Sequence, residues 1–182
     1  MRAIETVKSI EIPESVLVKV EGMVVTVNGE KGELTRDFSY APVSISLEGK
    51  TITVQANWPR KKEAALIGTV GSHIQNMITG VTKGFTYKLK IVFSHFPISV
   101  KVRERTVAIE NFTGERSPRI AKIVGDTKVM AKDEDVIVQG TSIEDASQTA
   151  ANIQNATKVK RKDPRVFLDG IYIYEQHEGM EE

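Results

Sequence analysis

An internal repeat constrains this chain more than any other feature of its sequence. VAIENFTGE (107–115) resembles VTVNGEKGE (25–33), DVIVQG (135–140) resembles TITVQA (51–56), and Ile153-Gln154-Asn155 repeats Ile74-Gln75-Asn76. The matches keep their order and approximate spacing, so the second half replays the first, and one plan must fold twice. From Val138 to Ile153 is five residues shorter than from Val54 to Ile74, which places an insertion in the first copy around NWPRK.

Each copy mixes two periods. VLVKV (16–20), MVVTV (23–27) and VSISLEGKTITVQ (43–55) alternate apolar and polar side chains or run β-branched, the pattern of strands with one buried face. Asn28-Gly29 tolerates the positive φ of a two-residue hairpin turn, and Glu48-Gly49-Lys50 marks a second turn. After Trp58-Pro59 the period changes: Ile67, Val70, Ile74, Met77 and Ile78 fall on one face of a helix from about Lys61 to Met77, ended by Gly80. Gly68 and Gly71 inside it each cost about 1 kcal/mol relative to alanine, which close backbone approach would offset. In the second copy, Ser142 can cap a helix whose apolar face is Ile143, Ala146, Ala150 and Ile153.

The fold class read from this is α+β: two duplicated domains, each a small, mostly antiparallel sheet packed on one main helix. The domains are placed at 1–80 and 81–174, with 175–182 as a flexible acidic tail. Tyr87, Leu89 and Ile91 alternate with Lys88 and Lys90, so the link between copies reads as a packed strand rather than a loose tether.

Enzyme motifs are missing. There is no phosphate loop, dinucleotide fingerprint, nucleophile elbow or H-E-x-x-H pair. An acid/base pair from Asp133, Glu134 or Asp135 with His95 is outweighed by the plainer reading of KDED as a solvated turn. The chain has no cysteine, and its three histidines, His73, His95 and His177, are far apart, so neither a metal nor a cofactor is predicted. No segment approaches the roughly 20 apolar residues of a membrane span, and the chain reads as cytoplasmic.

Charge supplies the functional signal. The net charge is only +1, yet Lys158, Lys160, Arg161, Lys162 and Arg165 crowd into KVKRKDPR directly after the second helix. FTGERSPRIAK (112–122) adds Arg116, Arg119 and Lys122 beside Gly114 and Pro118, which suggests a second exposed loop in the same domain. One such loop is ordinary solvated surface; two containing arginine favour phosphate, whose oxygens suit the guanidinium fork. Aromatic residues are few, so shape recognition of folded RNA is favoured over stacked single-stranded bases.

Several long segments then match a known family: GTVGSHIQNMITGVTKGFTYKLK, FSHFPI, NFTGE, ASQTAANIQ and TKVKRKDPRVFLDGIYIYE. From IEIPESV to Tyr174 the chain resembles the universal large-subunit ribosomal protein L-six family in its archaeal and eukaryotic form. The resemblance implies a structural, non-catalytic role, with the second domain gripping ribosomal RNA near the sarcin-ricin loop, where translational GTPases dock beside neighbouring ribosomal proteins. It assigns RNA contact to Arg116, Ser117, Arg119, Lys158, Lys160, Arg161, Lys162 and Arg165, with Lys122 alongside. Ser94 and His95 occupy the family's SH position between domains. Thr69, Ser72, His73 and Asn76 match the first-domain helix that family members turn toward RNA. The rival reading is a non-ribosomal protein-interaction module that uses exposed strand edges and the basic loop.

Overall fold

In the computed structural model, which describes residues 5–94, 96–160, 163 and 166–180, the repeat becomes two copies of one topology. The first copy runs β1 (Glu5–Glu11), β2 (Leu17–Glu21), β3 (Val24–Gly29), β4 (Gly32–Asp37), β5 (Ser44–Glu48), β6 (Thr51–Asn57) and α1 (Lys61–Thr82). The second runs β7 (Phe85–Val92), β8 (Ser99–Arg103), β9 (Thr106–Glu110), β10 (Arg119–Lys122), β11 (Lys128–Lys132), β12 (Asp135–Gly140) and α2 (Ile143–Ala156), then adds β13 (Gly170–Glu178). All pairings are antiparallel: β1-β6-β5 and β2-β3-β4 in one copy correspond to β7-β12-β11 and β8-β9-β10 in the other. The α+β class and the duplication are as read from the sequence, with each copy's strands divided between two small sheets. The chain separates into compact units Met1–Lys83 and Gly84–Glu182.

Alternation buries one face of each central strand. Ile52, Val54 and Ala56 of β6 and Val25 and Val27 of β3 meet Ile67, Val70, Ile74 and Ile78 of α1 in the first core. In the second, Leu89, Val136, Val138 and Ile171 pack with Ala146, Ala150 and Ile153 of α2. The small residues of α2 let helix and sheet approach closely. Ser142 caps α2 as read, its Oγ accepting the Asp145 amide at 3.3 Å.

Three local readings change, while the packed strand expected between the copies is β7, which lies between β12 and β13 in the second unit's sheet. The β3–β4 turn is Glu30-Lys31, two residues beyond Asn28-Gly29, because Gly29 pairs with Gly32. Gly29 is required for a different reason: a Cβ there would lie 2.8 Å from the Val81 carbonyl oxygen, which accepts the Lys31 amide at 3.0 Å. Helix α1 runs through buried Gly80 to Thr82, and the chain turns at Gly84 with φ +79°, a left-handed stop that glycine adopts without strain. Finally, residues 175–178, read as part of an acidic tail, extend β13 along β7 as far as Glu178 opposite Phe85. Backbone pairing there does not depend on side-chain charge, and Glu175 lies 3.6 Å from the Lys88 ammonium.

The two helix glycines differ. A Cβ on Gly71 would strike the stem of Lys8, whereas one on Gly68 would meet nothing within 4 Å. Close approach within the unit therefore accounts for Gly71 only. Among the described residues, no helix is long and apolar enough to cross a membrane.

Candidate nucleic-acid interface

The chain leaves β9 through Asn111, Thr113 and Gly114, all at positive φ, which folds 111–118 into a tight loop around a 3-10 turn, Phe112–Gly114. Asn111 Nδ2 donates to the Pro97 carbonyl at 3.0 Å, and Phe112 is buried at 1% exposure, so the loop is pinned from below. Arg119, at the start of β10, closes it. Its guanidinium lies 4.2 Å from the Phe112 ring centroid and makes a two-bond fork to Glu115, with Nε to Oε2 at 2.8 Å and Nη2 to Oε1 at 2.6 Å. Nη1 donates to the carbonyls of Ala156 at 2.9 Å and Lys158 at 3.1 Å.

That geometry reassigns Arg119. Four of its five N–H groups are engaged inside the protein, and its side chain is 22% exposed. It is a tie rather than an open phosphate ligand, and the segment 119–122 is a strand rather than a loop. The tie brings together the two stretches that the sequence marks as basic, fastening the 111–118 loop to the exit of α2. It also places a cation at the negative end of that helix, offsetting a dipole that would repel phosphate from the residues beyond it.

Arg116 and Ser117 stand exposed on the loop, Lys122 at the end of β10, and Lys158 and Lys160 just after α2. Among the described residues, none of these four cations has an ion-pair partner, while Glu115 is neutralised by Arg119. Arg161, Lys162, Arg165 and His95 lie outside the described residues. Ser94 is exposed, and its amide donates to Asp169 Oδ1 at 2.8 Å. Asp169 is 1% exposed and anchors the far end of the basic segment to the end of β7. The acidic turn is engaged by Lys90, 3.3 Å from Glu134 and 3.5 Å from Asp135, which raises the lysine pKa chiefly through the Glu134 bond.

The first unit carries its own polar group. Thr69, Ser72, His73 and Asn76 share a face of α1, with Thr69 and Ser72 exposed and His73 and Asn76 half-buried. Their donor capacity is reduced: Thr69 Oγ1 donates to the Ala65 carbonyl and Ser72 Oγ to that of Gly68. Lys8 Nζ reaches both Gly68 O and Ser72 Oγ at 3.2 Å and supplies a cation here that the sequence reading passed over. The His73 ring sits 6.5 Å from that of Phe38.

Two recesses flank the last turns of α2. One, about 340 Å³, lies against Ile120, Lys122, Asn152 and Ala156; the other, about 350 Å³, against Gln154, Lys158, Phe167 and Tyr172, and Asn155 borders both. Asn152 Nδ2 donates to the Lys122 carbonyl at 3.0 Å and holds β10 to the helix. Asn155, Phe167, Asp169 and Tyr172 are absent from the sequence-based site. Phe167, Asp169 and Tyr172 lie within the family-like segment TKVKRKDPRVFLDGIYIYE, the signal that could have pointed to them.

Comparison with known proteins agrees with the duplication. The family model described as Ribosomal protein L6 matches twice, at residues 12–84 and 96–170. The chain is 52% identical to the large ribosomal subunit protein uL6 of Desulfurococcus amylolyticus, covering 98% of this chain and 99% of the relative. It is 55% identical to that of Staphylothermus marinus, covering 92% and 93%, and 51% identical to that of Methanobrevibacter smithii, covering 91% and 93%. A double match over most of the sequence, with relatives above half identity over more than nine-tenths of their length, makes this chain a member of the ribosomal protein L6 family.

Proposed function

We propose that this protein is a structural, non-catalytic constituent of the large ribosomal subunit in the cytoplasm, bound to ribosomal RNA mainly through its second unit. The finer reading places that contact near the sarcin-ricin loop, with translational GTPases and neighbouring ribosomal proteins close by. The observation that carries it is the Arg119 tie: it fastens two basic stretches together while Arg116, Lys122, Lys158 and Lys160 remain exposed, without ion-pair partners among the described residues. An RNA backbone offers a row of phosphates, and cations mounted on a fixed frame meet it with little ordering cost.

The test is binding of the full chain to large-subunit RNA fragments over a salt series, followed by hydroxyl-radical footprinting. Steeply salt-dependent binding with protection at the sarcin-ricin region supports both levels of the reading. Protection confined to another RNA region would refute the finer placement. No binding to any fragment would refute RNA anchoring by this protein alone.

A further inference from the structure

The recess between α2 and the start of β13 has features that a phosphate-binding surface does not need. Its volume of about 350 Å³ falls in the range of small-ligand pockets, roughly 300–1,000 Å³. Two aromatic rings, Phe167 and Tyr172, line it together with two side-chain amides, Gln154 and Asn155, and one cation, Lys158. Among the described residues that line it there is no carboxylate.

We propose that this recess receives a single unstacked nucleobase of the bound RNA, stacked on the aromatic rings and met at its edge by the Asn155 and Gln154 amides. The inference rests on the RNA-binding reading above and adds a base contact to it.

The Tyr172 ring is set in place before any ligand arrives. Its hydroxyl donates to the Leu168 carbonyl at 3.2 Å, and it lies against Gly170, where a Cβ would come within 2.8 Å of ring atoms. A platform fixed in this way loses little freedom on stacking. Yet Tyr172 keeps 45% of its surface exposed, so area remains to be covered. Gln154 Oε1 accepts the Ile173 amide at 3.0 Å, which orients the side chain and leaves its NH₂ group to donate. Asn155 is exposed, and its side chain makes no bond among the described residues, so it can offer one donor edge and one acceptor edge. Alternating donors and acceptors are what the edge of an extruded base presents. Lys158 lines the same recess and is placed to meet the phosphate beside that base.

The test uses the full chain and a large-subunit RNA fragment that the unmodified chain binds. Affinity is measured over a salt series for Tyr172→Leu, Tyr172→Phe and Asn155→Ala, and the RNA bases are probed chemically in each complex. Tyr172→Leu is expected to weaken binding about tenfold or more at every salt concentration, with the plot of log K against log salt displaced in parallel. Tyr172→Phe keeps the ring but loses the hydroxyl bond to Leu168, so it should bind a little more weakly than the unmodified chain and far better than Tyr172→Leu. Asn155→Ala removes no side-chain bond among the described residues, so it separates loss of recognition from loss of fold, and should weaken binding severalfold. One base protected in the unmodified complex should become reactive in the Tyr172→Leu and Asn155→Ala complexes. Unchanged affinity and unchanged base reactivity in both variants would overturn the inference and leave the RNA reading standing. A flattened salt slope would overturn it too, by making Tyr172 an accessory to phosphate contact. Failure of the unmodified chain to bind any fragment would remove the RNA reading, and this inference with it.

Discussion

Arg119 donates to the carbonyl oxygen of Lys158 at 3.1 Å, so one cation of the basic surface holds the backbone of another and leaves the lysine ammonium free to face outward. The same guanidinium reaches Ala156 and Glu115, which makes it the junction of a loop, a strand and a helix end. Arg119→Ala should destabilise the second unit by about 2–3 kcal/mol, since its charge-assisted bonds to the Glu115 carboxylate and to the Ala156 and Lys158 carbonyls disappear. Arg119→Lys should restore only part of this, because an ammonium cannot reproduce the planar fork. Urea unfolding monitored by amide exchange at Thr157 and Lys158 checks both.

Lys158 and Lys160 should act through charge alone. Replacing both by alanine is expected to leave folding stability within about 0.5 kcal/mol. It should flatten the slope of log K against log salt by roughly 1 to 2, at about 0.7–0.9 per lost phosphate contact. Titration of the full chain with RNA at several salt concentrations measures the slope directly.

Gly68 and Gly71 should separate under the same substitution. Gly68→Ala adds a methyl group to open space and gains helix propensity, so stability should rise by about 0.5–1 kcal/mol. Gly71→Ala displaces the Lys8 stem and, with it, the ammonium bonds to Gly68 and Ser72, so its gain should be smaller or reversed. Chemical denaturation of the two variants side by side decides it.

Gly29→Ala should cost about 1–3 kcal/mol, the usual penalty of overpacking, because backbone oxygen rather than a movable side-chain end stands in the way. The Lys31 amide would lose protection against exchange as its bond to Val81 opens.

Alkaline conditions should weaken the second unit through Tyr87. Burial raises the phenol pKa, only partly opposed by a hydrogen bond to Ser147. The unfolded phenol therefore ionises first, near pH 10, and stability present below that point is lost as pH climbs through the raised folded value. Lys90, raised by its bond to Glu134, acts in the same sense. Tyr87→Phe should make the fall of thermal midpoint above pH 10 shallower, at the loss of about 1 kcal/mol at neutral pH from the missing bond.

Much of the architecture is written in short-range pattern. The repeat, the strand alternation around Ile52 and Val54 and the 3.6-residue stripe of α1 depend on neighbours close in sequence, so they could be read directly. What escaped depends on distant partners. Arg119 reads as a loop cation because nothing nearby reveals the carbonyls of residues 156 and 158 waiting for it. Gly29 reads as a turn glycine until Val81 is seen against it, and Gly80 as a helix stop until its burial and the left-handed Gly84 are known. The recess at Tyr172 is lined by residues between Gln154 and Tyr172, but it needs β13 held beside α2, and the strand that pairs with β13 is the distant β7.

That return also sets a timetable. β7 begins the second unit, but one of its two neighbours, β13, is synthesised much later, with Gly170 opposite Val92 and Glu178 opposite Phe85. At roughly 5–20 residues per second of translation, β7 waits several seconds or more for that partner. The first unit has all its strands and its helix by Thr82 and can be complete well before then. During the interval, the β7 edge that later receives β13 is an open template for strand pairing with other chains. Newborn copies of this protein are therefore most exposed to misassociation while their second half is being made, and chaperone protection during synthesis would have most to do along that edge.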